Sequence, residues 1–446
     1  MYNLKASYKF YALKKISQYP DFNHIVFSKH LYKMKIIYNL LAFTFFLSCF
    51  NCTEEIPLET NGFEDVLVVE ATITNELKHQ EIKLSRTYFL EQNTQTIENN
   101  ANVSIQDNLG NNYTFTQNDE GVYSSNIAFE ALPNVNYTLY ITTSNGKLYK
   151  SSEKLLTPIA EISSLYVEEG PNSNSVQVVI DSNNEATDAQ FFRYEYEETH
   201  KIKVPYYSIY NAKLTNIVNY GQEFDVDLVL KEENEEICFT TNKSIGIIQT
   251  STDHLESNIV SKFPVRTINK DNVILRERYS ILIKQYVQSL EAYKYYETIN
   301  ELSTNESLFS ENQPGFVVGN ISALQNSSEK IIGFFDVSSV SSDRIYFNYE
   351  DIDAPRPPYP YDCELRESED GLISYNKNHL KLNYALHGNY NGGTLMPNQR
   401  AILYNLLKDG GYYKYYSGQV VYYIVSPECG DCTSYSSNLK PNFWVD

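Results

Sequence analysis

The sequence is short of most features that would name an activity. It has no phosphate-cradling G-x-x-x-x-G-K loop, no dinucleotide fingerprint, no G-x-S-x-G elbow and no H-E-x-x-H pair, so the common nucleotide-, acyl- and zinc-dependent chemistries have no motif to rest on. Seven histidines are scattered over 446 residues. No repeat recurs at a solenoid or propeller period. Tryptophan is nearly absent, with Trp444 alone. Positive charge is scarce too: 36 Lys and Arg face 56 Asp and Glu, a net charge of −20. A field of that sign repels nucleic acid and anionic membrane surfaces. No apolar run reaches the ~20 residues that a membrane-spanning helix needs.

What is present begins with Lys33–Glu55, KMKIIYNLLAFTFFLSCFNCTEE. Lysines flank Met34, an apolar run covers Ile36–Leu47, and two cysteines follow. A basic start, an apolar stretch of roughly 7–15 residues and a small-residue site describe a secretory signal. A cysteine at that site followed by polar and acidic residues looks like a bacterial lipoprotein signal. Ser48 before Cys49 suits the cleavage enzyme; Thr53-Glu54-Glu55 after Cys52 resembles the acidic start of many surface lipoproteins. Lipidation is expected at Cys49 or Cys52, with Cys49 slightly favoured. Residues 1–33 read as an early start or a cytoplasmic extension, 34–51 as the signal and 52–62 as a tether. Residues 1–51 hold seven lysines and one acid, so the remainder carries 29 basic against 55 acidic residues, a net charge of −26. The expected protein is tethered by lipid at the outer membrane, at the cell surface rather than the periplasmic face, and is not threaded through the bilayer.

Past the tether the chain reads as β. Residues 63–157 show short runs such as Asp65–Ile73, Glu81–Leu90 and Asn136–Thr143, punctuated by turns at Asn108–Asn111, Asp119–Gly121 and Asn145-Gly146. Alternation places Tyr137, Leu139 and Ile141 on one face. Strands at this spacing predict an antiparallel, immunoglobulin-like β-sandwich. Pro158 marks a boundary. Residues 158–446 predict a larger β-rich domain with one or two helices. The first helix is capped by Ser289, with Leu290, Tyr293, Tyr296, Ile299 and Leu302 on its apolar face. A second, weaker helix is placed at Pro397–Lys408. Tyrosine is abundant, 39 residues in all; it suits half-buried strands and also binding surfaces. The proline loop Ala354–Pro360 cannot enter a sheet interior.

Four cysteines remain beyond the signal: Cys238, Cys363, Cys429 and Cys432. An even number in an exported chain predicts disulfides, with Cys363 joined to Cys429 or Cys432; four cysteines allow three pairings. Cys429 and Cys432 form a C-x-x-C, but Pro427 precedes it and no amphipathic helix follows, which argues against a redox site. A four-cysteine zinc site would need Cys238 and Cys363 brought together from far apart. His379 and His387, Asp351 and Asp353, and Asp119-Glu120 read as solvated surface groups. Gly315 and Gly319 are strand glycines, not a phosphate cradle. No catalytic, cofactor-binding or metal-binding residue is assigned, and the expectation is a protein that is not an enzyme.

Several stretches resemble a family taken together. They are DVLVVEATIT, KLSRT at Lys83–Thr87, YxLxI at Tyr137–Ile141, RYSILIKQY followed by SLEAYKYYE, QPGFVVGNI at Gln313–Ile321, GFFDVSSV at Gly333–Val340 and the C-terminal CGDCTSYSSNLKPNFW. In this order they resemble the domain of unknown function 4249 family, lipoproteins of Bacteroidetes-type bacteria. The resemblance implies an outer-membrane or surface lipoprotein that neighbours TonB-dependent transporters. It brings no catalytic residues. The expected role is ligand capture for, or docking on, such a transporter. A cell-surface hydrolase and a structural or adhesion protein are the alternatives.

Overall fold

The computed structural model describes residues 65–87, 96–218, 223–304, 317–363, 384–387, 412–416, 421–425 and 427–446. The signal, Cys49, Cys52, the tether, Gly315, His379 and the helix expected at Pro397–Lys408 lie outside the described residues. Glu64–Asp446 forms one compact unit.

The chain runs first through β1 (Leu67–Thr74), β2 (Glu81–Arg86), β3 (Thr96–Ile97), β4 (Asn102–Asp107), β5 (Asn112–Gln117), β6 (Val122–Ser125), β7 (Asn136–Thr142), β8 (Leu148–Ser151) and β9 (Lys154–Leu155). It continues through β10 (Ser164–Glu169), β11 (Ser175–Asn183), β12 (Phe191–Lys203), β13 (Tyr210–Val218), β14 (Glu223–Leu230), β15 (Ile237–Lys243), β16 (Ile248–Ser251), β17 (Ile259–Asn269) and β18 (Tyr279–Gln288). Helix α1 (Leu290–Thr304) follows, then β19 (Ile321–Ala323), β20 (Ile331–Ser338) and β21 (Val340–Phe347), and last β22 (Tyr384–His387), β23 (Tyr412–Tyr416) and β24 (Val421–Val425). The chain is mostly β, as expected.

The first sheet has eleven strands, ordered β19-β8-β7-β4-β5-β6-β2-β1-β20, with β3 and β9 attached to it. Inward positions alternate along each strand and feed one core that holds Ile73, Ile82, Ile105, Tyr137, Leu139, Ile141 and Phe335. Tyr137, Leu139 and Ile141 share a face, as the alternation requires. The antiparallel structure expected here is a single sheet that curls nearly closed. Its two end strands, β19 and β20, come from far beyond residue 157. β20 pairs with β1 in parallel over eight residues, Leu67 opposite Ile331 through Thr74 opposite Ser338.

The two ends meet at a seam. The Asn320 side chain donates to the Phe335 carbonyl at 2.8 Å and accepts from the Phe335 N–H at 2.7 Å, standing in for a ladder pair. The approach demands glycine on both sides. A Cβ on Gly319 would lie 1.7 Å from the Gly333 carbonyl oxygen, and a Cβ on Gly333 would lie 2.5 Å from that of Val69. Gly333 also has φ +154°, which side-chain-bearing residues seldom adopt.

The second core lies between two further sheets. One is β10-β11-β17; the other is β15-β12-β18-β21, with β16 also on β12. Val178, Ile180, Phe192, Tyr194, Val260, Ile281 and Ile283 fill the space between them, giving a two-layer packing. α1 begins where expected, with the Ser289 hydroxyl accepting from the Ala292 N–H at 3.1 Å. Its buried side chains are Ala292 and Tyr295, set against Phe334 on the outside of β20. Leu290, expected on the apolar face, is exposed.

Placing Ala at Gly319 or Gly333 is expected to lower stability by at least about 3 kcal/mol, because backbone rather than a flexible side chain must move. Alanine at Gly246, whose Cβ would meet nothing, is the control and costs about 1 kcal/mol through its positive φ. Urea unfolding of the three variants measures this; equal midpoints would show that the seam does not need its glycines.

Candidate functional site

A cleft of about 290 Å³ opens where the end of β12, the turn after β17, the proline loop and the C-terminal segment meet. Each wall has a local cause. β12 supplies His200–Lys203. The Val273–Leu275 turn is capped by Asn272, whose side chain accepts from the Ile274 N–H at 3.1 Å, and it leads into Arg276 and Glu277. The proline loop supplies Tyr359, Pro360 and Tyr361, and the C-terminal segment supplies Tyr435.

The three tyrosines form a tilted cup. Tyr361 lies 6.0 Å from Tyr359 and 5.2 Å from Tyr435, centroid to centroid, with ring planes 56° and 58° apart. The Tyr359 hydroxyl donates to the Glu428 carbonyl at 2.7 Å and sits 2.5 Å from the Tyr435 hydroxyl. Arg276 crosses beneath: its guanidinium lies 5.5 Å from the Tyr359 ring centroid and donates to the Pro357 carbonyl, which fixes the loop.

Two disulfides staple this corner. Cys363 pairs with Cys429, and Cys238 with Cys432; each pair has Cα atoms 5.7 Å apart. The C-x-x-C cysteines are therefore bonded to two separate partners, one just past the proline loop and one in β15. Asp431 between them caps the turn that follows, accepting from the Thr433 N–H at 2.7 Å. Phe239 of β15 packs edge-on against Trp444 at 4.9 Å, and its N–H donates to the Ser437 carbonyl at 2.8 Å.

Charge around the cleft runs against the chain's acidity. Lys201, Lys203 and Arg276 line it with the acid Glu277. Each cation is paired with a carboxylate: Asp446 for Lys201 at 3.2 Å, Glu236 for Lys203 at 3.3 Å, and Glu277 for Arg276 at 3.8 Å. Glu277 is also bonded to Arg356. Burial and the Arg356 charge together lower the Arg276 pKa. His200 is only 9 % exposed, and its Nδ1 has no hydrogen-bond partner. Burial pushes the imidazole down to about 4, against the pull of Glu198. Glu198 is itself engaged, by Arg266 at 3.0 and 3.1 Å and by the Tyr279 hydroxyl at 2.6 Å.

The four cysteines beyond the signal, Cys238, Cys363, Cys429 and Cys432, sit at this corner. Asp351 caps a short turn, accepting from the Asn348 N–H at 2.7 Å, and Asp119-Glu120 sit in a turn governed by Asn118. Gly319 belongs to the seam. Among the described residues no group of three or more His, Cys, Asp or Glu could hold a metal ion. Among them, too, no helix is long and apolar enough to cross a membrane. His200 and Arg276 were not legible as cleft residues, since each stands alone in an ordinary strand or turn.

These features define a disulfide-stapled, mostly β scaffold carrying an aromatic cleft with a cationic rim. A family model described as Domain of unknown function (DUF4249) matches residues 53–344, and the chain belongs to that family. No curated protein matches it.

Non-reducing peptide mapping after cleavage at Asp431 is expected to recover Cys363 with Cys429 and Cys238 with Cys432; a Cys429–Cys432 peptide would refute that pairing. Replacing Cys238 and Cys432 by serine opens a 194-residue separation and is expected to cost roughly 3–5 kcal/mol.

His200 gives a pH signature. Its folded pKa lies below the unfolded value, so the unfolded chain takes up the proton first. Stability is then whole above about pH 6.5 and falls as pH drops towards 4. A His200→Gln variant is expected to lose up to about 3 kcal/mol less than the wild type over that window; parallel slopes in pH-dependent urea unfolding would contradict this.

Proposed function

We propose that the chain is a lipid-anchored lipoprotein of the outer membrane that works without catalysis, capturing a ligand for, or docking on, a TonB-dependent transporter. The observation that carries this is the cleft: an apolar cup with a cationic rim, held by two disulfides and an arginine-fixed proline loop. A site held in one shape by covalent staples loses little freedom on binding, which favours capture. The signal-like stretch supplies the anchor, and the family resemblance supplies the transporter as partner.

The hydrolase reading finds less support at this site. Among the described residues its lining acid, Glu277, is paired with Arg356 and Arg276 and no second carboxylate lines the cleft.

The test is an affinity pull-down from detergent-solubilised outer membrane through a tag at Asp446. A stoichiometric TonB-dependent transporter is the expected companion. Recovery of the lipoprotein alone, at native expression and in mild detergent, would count against docking. The N-terminal mass from the same sample distinguishes Cys49 from Cys52 as the lipidated residue, and an unlipidated chain would remove the anchor.

A further inference from the structure

We propose that the cleft binds a carboxylate carried on an apolar or aromatic body, either a free acid of that kind or the C-terminal residue of a peptide. This rests on the capture reading and names its ligand.

Three observations converge on it. The first is the cup. The Tyr361 ring is inclined by more than 50° to the rings of both Tyr359 and Tyr435, so the three do not form one flat platform. Such a cup encloses a compact apolar group, whereas a sugar ring stacks best on a single open face. The second is charge. In a chain of net charge −20, three cations and one acid line this cleft. Arg276 is the inner cation. One of its amino groups is taken by the Pro357 carbonyl, and its buried Nε lacks a hydrogen-bond partner, with Glu277 no nearer than 3.8 Å. A planar guanidinium matches a planar carboxylate in geometry as well as charge.

The third is His200, nine-tenths buried against the cleft with Nδ1 unpartnered. An unpaired buried polar atom costs free energy. A ligand that brings a polar group to this wall, with slight turning of the ring, gives that nitrogen a partner. Burial keeps the imidazole neutral at physiological pH, so it adds a hydrogen bond without adding charge.

The molecule also carries its own reporter. Trp444 Nε1 donates to Asp446 Oδ1 at 3.3 Å, and that oxygen accepts from Lys201 on the cleft rim at 3.2 Å. A bound carboxylate that draws Lys201 inward changes what the tryptophan donates to.

The experiment is calorimetric titration of the lipid-free chain, with Trp444 fluorescence read in parallel. The probes are N-acetyl-phenylalanine, a Gly-Gly-Phe peptide, the C-terminal amides of both, inorganic phosphate and a neutral oligosaccharide. The expected result is binding of an acid, weakened about tenfold or more in its amide, the loss of one charge-assisted bond. Preference between free acid and peptide identifies the source. Tyr361→Ala and Arg276→Gln are each expected to weaken the acid about tenfold or more. Tyr361 is 39 % exposed, so its variant tests the cup without unfolding it; a thermal melt confirms this for both. Equal binding of acid and amide, binding of phosphate or oligosaccharide instead, or no binding of any probe would overturn the proposal. A transporter recovered by pull-down together with no acid binding rejects the ligand and leaves the accessory role. Acid binding with no transporter does the reverse.

Discussion

A buried cation joins the two halves of this molecule. Arg193, near the start of β12, places its guanidinium 4.6 Å from the Tyr286 ring and 5.1 Å from the Tyr296 ring, and bonds to Glu195. Tyr286 belongs to the two-layer packing and Tyr296 to α1. Asp336, on the outer face of β20, is fully buried nearby and accepts from the Ser338 hydroxyl at 2.6 Å. Burial raises the Asp336 pKa, and the Arg193 charge opposes the rise. Removing Arg193 would leave the buried Asp336 without a cation that opposes its neutralisation. The helix, the barrel-like sheet and the second core are therefore placed by one shared electrostatic requirement, and apolar packing alone would leave their mutual position less defined.

The backbone enforces the same union. β20 closes the first sheet and β21, beginning two residues later, joins the second; the strands meet at Ser339. Thr157 and Pro158 are bound to that junction: Ser339 N–H donates to the Thr157 hydroxyl at 2.8 Å, its hydroxyl donates to the Pro158 carbonyl at 2.6 Å, and the Thr157 hydroxyl donates to the Val287 carbonyl at 2.9 Å. The chain changes sheet at Pro158, from β9 to β10. That crossing is not a free linker, because the chain returns at 321–338 to complete what residues 67–155 begin. A sheet whose closing strand pairs Leu67 with Ile331, 264 positions on, must wait for that strand, so folding of the first sheet is coupled to the rest of the chain.

Local signals were legible in the sequence, and long-range ones were not. Alternation in NYTLYIT gave the buried face of β7, and Ser289 gave the start of α1, because each is decided within a few residues. The face of α1 was displaced, with Tyr295 buried and Leu290 exposed, because the helix packs against both β20 and the Arg193 cage rather than one plane. Gly319 read as an ordinary strand glycine; its need for no side chain comes from a partner backbone that sequence alone does not pair with it. The run IIGFFDVS is largely buried on both faces, since Ile331, Phe335 and Val337 fill the barrel while Phe334 lies under α1. Cysteine parity implied disulfides, but their pairing depended on how the C-terminal segment crosses β15.

The match to the family ends at residue 344, and the cleft draws on residues from both sides of that position. Its floor and cationic rim, His200–Lys203 and Arg276-Glu277, lie inside the matched residues 53–344. Its three tyrosines lie at 359–361 and 435, beyond the match, and so do three of the four disulfide cysteines. The matched part alone would present a basic, half-open wall with a buried histidine. The remainder converts that wall into an enclosed cup and fixes it with covalent bonds. On the proposed reading, the groups that would face the carboxylate lie within the matched residues, and the rings that would face its apolar body lie beyond them.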